Sequence, residues 1–438
     1  MEQHPARRVL TYRWAIFWIM AVAYVLVSFH RLCPAVVALD LQKSLNVSGG
    51  AVGILASAYF YPYALMQFPA GLLSDSLGPR KTVTLFLIVA GIGSMLLGLA
   101  QGIVSAVAAR ILVGLGVSMV FIPTMKILSQ WFRVTEFSFM TALLAAMGGV
   151  GALISATPLA WMTGWFGWRA AFAIIGAVTL AIAVLVCMFV RNSPGDKGWP
   201  SLAEIDHKGP GKVLSPDEIP LWEGAKRVVR EKYFWPLAVW FFCLMWVFFG
   251  FAGMWAGPYF MNTYGMTRGQ AAAVLNMTAV GLIIGSPLVS YLSDRVLFSR
   301  KLVLVACSVI LTALVLFLNI FPDGLPVVAL YAVMLLLTIS GSAVVVIGFT
   351  STKELFPVEM AGTSVGTVNL FPFLGGAVSQ PVLGRLLDAY PKTATGAYSL
   401  EGYKAMLLVM LGAAVAGLVC TIFMKETFPL HWGKETTS

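Results

Sequence analysis

The sequence predicts an all-α membrane protein, with twelve transmembrane helices arranged as two six-helix bundles. Three observations predict it. Of the 438 residues, 59% are hydrophobic and 11% charged, where a soluble domain carries about 25% charged residues. Apolar runs long enough to cross a hydrocarbon core of ~30 Å as helices recur from Trp14 to Met424, and the mean hydropathy is +0.86. The second half of the chain repeats features of the first. A membrane β-barrel would instead alternate over segments of ~10 residues, a pattern the chain lacks.

The runs place the helices at 14–40, 50–74, 80–101, 103–131, 137–166, 168–191, 234–263, 268–292, 299–321, 326–354, 361–389 and 401–425. An even number of passes puts both termini on one side. Of the 29 Lys and Arg, 20 fall on that side, 6 on the other and 3 within helices, a bias that makes the terminal side cytoplasmic. The bundles are expected at 1–191 and 234–438, joined by a cytoplasmic linker at 192–233. Within it, Pro220–Lys232 interleaves Leu221, Trp222, Val228 and Val229 with Lys226, Arg227, Arg230 and Lys232, as in a helix lying on the membrane surface. Met1–Arg13 is polar and basic, and the first apolar run is long enough to remain as a helix, so no cleavable leader is expected.

The net charge of +10 could suggest nucleic acid. The basic residues are scattered through short loops, and topology accounts for them. Cys33, Cys187, Cys243, Cys307 and Cys420 fall inside apolar runs with no CxxC pair, and the four histidines are dispersed. No disulfide framework, metal site or cofactor is implied. There is no Walker loop, no HExxH and no nucleophile elbow, so an enzyme or a nucleotide-driven pump is not expected.

The repeat is specific. Gly71-Leu-Leu-Ser-Asp75-Ser-Leu-Gly78-Pro79-Arg80-Lys81 follows the second helix, and Ser290-Tyr-Leu-Ser-Asp294-Arg295 through Arg300-Lys301 follows the eighth, about 219 residues later. Gly148, Gly149, Gly151 and Pro158 in the fifth helix return as Gly375, Gly376 and Pro381 in the eleventh. Such repeats build two bundles with a solute site between them near the midplane.

Gly71–Lys81 resembles the loop signature of the major facilitator superfamily, departing from it at Ser76, where that family has a basic residue. Arg110-Ile-Leu-Val-Gly114-Leu-Gly116 resembles its fourth-helix signature, and Gly164-Trp-Phe-Gly167-Trp168-Arg169 its turn after helix five. The resemblance covers Trp14 to Glu426 and implies the major facilitator fold and secondary transport, specifying no substrate. In that family, contacts around the loop lock the two halves in one orientation. Asp75, Arg80, Lys81, Arg110 and Asp294 are therefore expected to bias the conformational equilibrium. Phe29-His30-Arg31-Leu-Cys-Pro34 resembles the first helix of the family's organic-anion carriers, with His30 where an Asp would stand. The acidic proton-handling residue of the sugar-acid branch corresponds to Val117 here, so that branch's coupling machinery is not preserved.

Ionisable groups inside a membrane are costly and mark function. Arg31, Arg110 and Lys126 lie within helices, and no acidic residue stands within a turn of Arg31 or Lys126. A buried cation without a sequence neighbour of opposite charge fits a site visited by an anion, and the Arg fork suits a carboxylate. Arg31 and Lys126 are the expected substrate contacts, and Arg110 is expected to tie its helix to its neighbours. His30 and Glu354 are the candidate proton-coupling groups, with Asp388 next. Tyr59, Tyr63, Trp255, Tyr259, Asn276 and Asn369 could shape the pocket, with Gln67 beside them. Gly257 and Pro258 could let the seventh helix bend.

The expectation is a monomeric carrier of a small organic anion in a bacterial inner membrane, with protons as the coupling ion. An alternative cargo is an amino acid, short peptide or siderophore-like metabolite, which would need Glu354 or Asp388 in the cavity. A non-transporting sensor or scaffold is the remaining alternative.

Overall fold

The computed structural model describes residues 5–206, 221–357 and 360–428. Ten helices among them are long and apolar enough to cross a membrane. One of these, Phe139–Phe189, has 51 residues, about twice what one crossing needs. It folds back at Gly167, whose φ of 76° is open to glycine alone without strain, and so supplies two spans. The second span is broken into Gly49–Ser57 and Phe60–Ser76, which completes twelve. The first span begins earlier and ends later than the apolar run suggests, as Pro5–Leu32 and Pro34–Leu45. Its basic first turns form helix before entering the apolar layer.

Proline placement explains which spans are continuous. The third span (Pro79–Gly98), the ninth (Arg300–Ile320) and the twelfth (Leu400–Phe423) run unbroken. The sixth does so after Gly167. None has an interior proline. The remaining spans carry Pro34, Pro62, Pro123, Pro158, Pro258, Pro287, Pro372 and Pro381, or a π-turn at Phe251–Trp255, Leu292–Val296 or Val344–Gly348. Each interruption frees backbone carbonyls, which a membrane tolerates only where protein or a cavity receives them. Of the broken spans, the first, second and fifth meet the seventh, eighth and eleventh across the middle of the molecule.

Two antiparallel seams join the halves. In one, span two faces span eleven: Gly49 and Gly50 meet Asp388, Tyr61 meets Ala377, Tyr63 meets Phe373 and Gln67 meets Asn369. A Cβ on Gly53 would stand 2.5 Å from the Gln380 carbonyl oxygen, so this approach requires glycine. In the other seam, span five faces span eight: Gly149 lies against Ile283, Thr157 meets Asn276 and Thr163 meets Arg268. Both seams reach the side opposite the termini, called the far side below.

Candidate functional site: an unpaired arginine between the two halves

Pro34 sets the local geometry. It has no N–H to offer the carbonyl four residues earlier, that of His30. The guanidinium of Arg110 fills the role: its Nη1 donates to the His30 carbonyl at 3.0 Å and its Nη2 to the Ala56 carbonyl at 3.3 Å. Ala56 is in the last turn before span two breaks, where carbonyls also lose their helical donors. Arg110 is thus buried and engaged, with its guanidinium 5.2 Å from the Tyr59 ring. It ties span four to the breaks in spans one and two.

Arg31 is different. It is partly exposed, its Nε is buried without a hydrogen-bond partner, and among the described residues no carboxylate forms an ion pair with it. Its guanidinium lies 5.0 Å from the Tyr63 ring of the first half and 5.3 Å from the Phe373 ring of the second. These rings are 4.4 Å apart, and their faces attract the cation weakly. Tyr24, Tyr59 and Tyr63 surround the same guanidinium. Tyr59 stacks on Tyr63 at 5.5 Å and reaches the Val27 carbonyl at 3.4 Å. One level toward the termini, Asn369 donates to the Gln67 side-chain oxygen at 3.2 Å. The arrangement is a positive charge at the junction of two bodies, walled by aromatic rings, with amides beneath it.

The far side of this junction is sealed. A void of about 10 Å³ lies there, lined by Leu32, Ala35, Ser155, Ala252, Leu275 and Thr278 among others, no larger than one water. Beyond it Arg268 pairs with Asp40 and bonds to Thr163 at 3.1 Å. The Asp388 carboxylate accepts the N–H groups of Gly49 and Gly50 at 2.9 and 2.7 Å, capping span two from the opposite half. Gln42 bonds to the Tyr398 hydroxyl at 2.6 Å.

The other expected residues do not all converge on Arg31. Tyr59, Tyr63 and Asn369 do. Lys126 donates to the Ser74 carbonyl at 3.3 Å and is engaged elsewhere as well. Ser74 is eleven residues past Tyr63 on span two, roughly 16 Å along the helix, so Lys126 works at another depth. Trp255 donates to the Gln380 carbonyl at 3.0 Å, in the far-side seal. Asn276 bonds to Thr157 Oγ1 at 2.7 Å, and its own side-chain oxygen is buried without a partner. Tyr259 sits within the second half, donating to the Pro322 carbonyl amid Tyr264 and Tyr403. His30 is fully buried, and both its ring nitrogens lack partners.

The gating residues lie near the terminal side. Arg80 Nε donates to the Cys187 carbonyl at 3.0 Å, which ties span three to span six. Lys81 is exposed. Asp75 falls in Phe60–Ser76, and its side chain lies outside the described residues. Asp294 and Glu354 both pair with Arg300, the latter at 3.3 Å, a cluster internal to the second half. Beside it, Glu426 accepts from Ser299 and the N–H groups of Arg300, Lys301 and Phe428. Burial pushes its carboxyl up, these bonds outweigh burial, and it settles below the usual carboxylate value.

Sequence reasoning passed over Tyr24, Phe373, Asp40 and Arg268. Tyr24 had a signal, since it stands seven residues before Arg31 and so shares its helical face. The others became visible only through the pairing of spans.

Residues 16–380 match the family model of the Major Facilitator Superfamily. The chain is 26% identical over 421 residues to the "Uncharacterized transporter YybO" of Bacillus subtilis, covering 94% of this chain and 95% of that one. It is 25% identical to the "Probable sulfoacetate transporter SauU" of Cupriavidus necator, covering 92% of each. It is 24% identical to the "Probable galactarate/D-glucarate transporter GarP" of Escherichia coli, covering 93% of each. Among solved structures, a bacterial homologue of the human lysosomal transporter Spinster, in an inward-facing unoccupied conformation, aligns with a TM-score of 0.72 at 16% identity, covering 94% of this chain and 96% of that one. The nucleoside transporter NupG aligns at 0.70 and 12%, covering 93% and 100%.

Proposed function

The chain belongs to the Major Facilitator Superfamily, and on that premise we propose that this transporter carries a small organic anion of the carboxylate type by alternating access. The observation that carries the reading is Arg31: a cation at the junction of the halves with no protein carboxylate paired to it among the described residues. Removing a charge from water without compensation costs several kcal/mol, and an incoming anion supplies the compensation. Relatives named as a probable sulfoacetate transporter and a probable galactarate/D-glucarate transporter support an organic anion in general.

The bundles 1–191 and 234–438 are the moving bodies, and 192–233 links them. Residues 207–220 of that linker lie outside the described residues; Leu221–Arg230 is a helix whose Val228 is buried. The conformation is the one closed on the far side. With the termini in the cytoplasm of a bacterial inner membrane, as the Lys and Arg distribution supports, the closed side is the one away from the cytoplasm, and the carrier works as a monomer.

Import of a monoanion against an inside-negative potential costs about 2.3 kcal/mol per 100 mV, so the anion enters with at least one proton. His30, next to Arg31 in the chain, is the candidate to carry it in another state of the cycle, since here its ring is fully buried without a partner. A zwitterionic cargo is less well supported, because Glu354 is held by Arg300 and Asp388 by Gly49 and Gly50.

The test is uptake of a carboxylate panel into proteoliposomes with an imposed pH gradient. Accumulation of at least one carboxylate, faster with acid outside and abolished in Arg31→Gln, is expected. Selective uptake of a cation instead would overturn the assignment.

A further inference from the structure

Resting on the organic-anion reading, the same site also bears on which anions fit. We infer that the cargo carries a single negative charge on an apolar, preferably planar body, one carboxylate or one sulfonate, and is neither a dianion nor a polyol acid.

The charge count comes from the engagement of each cation. Arg110 is buried on two backbone carbonyls. Lys126 is engaged at the Ser74 carbonyl, at a different depth. Arg268 is paired with Asp40 in the far-side seal. Arg31 is left as the one membrane-embedded cation facing the junction among the described residues. A second carboxylate entering with the first would leave water without a counter-charge, and its desolvation would remain uncompensated.

The body of the cargo follows from the hydrogen-bonding groups around Arg31. The Gln67 oxygen and an Asn369 N–H are already joined to each other. Tyr59 is turned to the Val27 carbonyl, and Tyr61 donates to the Ala377 carbonyl, which Pro381 frees from its helix. The rings beside Arg31 are Tyr63 and Phe373, 4.4 Å apart, and buried Phe60 and Phe249 continue that aromatic cluster behind them, with centroids 4.9 Å apart. Each hydroxyl of a sugar acid must exchange its water for a protein partner or lose affinity, and beside Arg31 itself the uncommitted polar groups are the hydroxyls of Tyr24 and Tyr63, fewer than an aldarate's hydroxyls require. A flat apolar body gains contact with the rings instead.

The experiment is calorimetric titration of purified full-length protein with benzoate, benzenesulfonate, benzamide and glucarate. Benzoate and benzenesulfonate should bind at least about tenfold more tightly than glucarate, and benzamide should not bind measurably. Phe373→Ala should weaken benzoate several-fold and shrink its advantage over glucarate. That variant serves as a second test if Arg31→Gln does not fold. Glucarate binding more tightly than benzoate, with both lost in Arg31→Gln, would overturn this inference and leave the anion reading standing. Benzamide equal to benzoate would overturn both. A monodisperse protein that binds neither aromatic monoanion would overturn the inference as well.

Discussion

Two arginines in neighbouring spans illustrate how context separates residues of one type. Arg110 completes the backbone: its guanidinium takes carbonyls that Pro34 and the break in span two leave without donors. Arg31 has aromatic neighbours from both halves and no carboxylate paired to it among the described residues, while an unpartnered Nε is common to both arginines. Replacement of the first should therefore harm stability, and replacement of the second should harm binding. Arg110→Leu leaves the buried Ala56 carbonyl unsatisfied at ~1–3 kcal/mol, and the His30 carbonyl with only the Cys33 thiol at 3.5 Å. A drop of several degrees in the melting temperature of the detergent-solubilised protein is expected, and an unchanged melting temperature would remove the structural role. The sequence contained half of this distinction. Pro34 standing four residues after His30 announces a free carbonyl, but not which side chain takes it.

At the scale of elements, the spans and the bend in the seventh at Gly257 and Pro258 were legible, and the other interruptions and the partners of each span were not. In the structure, proline and glycine positions mark the breaks, and Gly167 marks the reversal between spans five and six. A membrane helix is apolar on every face, so periodicity does not say which face meets the cavity, the bundle or lipid. For that reason Tyr63 and Tyr259 looked equivalent in the sequence. One lies beside Arg31, and the other is buried within the second half. Lys126 likewise resembled Arg31 until span two placed it beside Ser74. The seam between spans two and eleven makes a prediction at this scale. Gly53→Val cannot keep its place against Gln380, so the far-side-closed state is destabilised. Spin-label distances across the far side should lengthen, with the open population rising by roughly tenfold or more for ~1.4 kcal/mol. An unaltered distance distribution would show that the seam tolerates a side chain.

For the whole molecule, the twelve-span architecture followed from apolar runs and from the repeat between halves, since only helices and closed barrels satisfy their backbone in lipid. The conformational state did not, because either orientation of the bundles buries the same spans. It is visible in the links between halves: Asp40–Arg268, Asp388 on Gly49 and Gly50, and Gln42–Tyr398 all close the far side. Cysteines at positions 42 and 398 joined by a short bifunctional reagent should hold this state. Transport should stop while anion binding from the terminal side persists, and reduction of a cleavable linker should restore transport. Continued uptake by the cross-linked protein would mean that the far side need not open.

Arg31 is the point where the cargo's charge is proposed to rest. Calorimetric titration of the tightest-binding carboxylate into wild type and into Arg31→Gln measures this directly. Loss of a charge-assisted hydrogen bond of ~1.5–3 kcal/mol predicts a Kd weakened by roughly 10- to 150-fold, with the melting temperature of the variant near that of wild type. Equal dissociation constants for the two proteins would contradict the account.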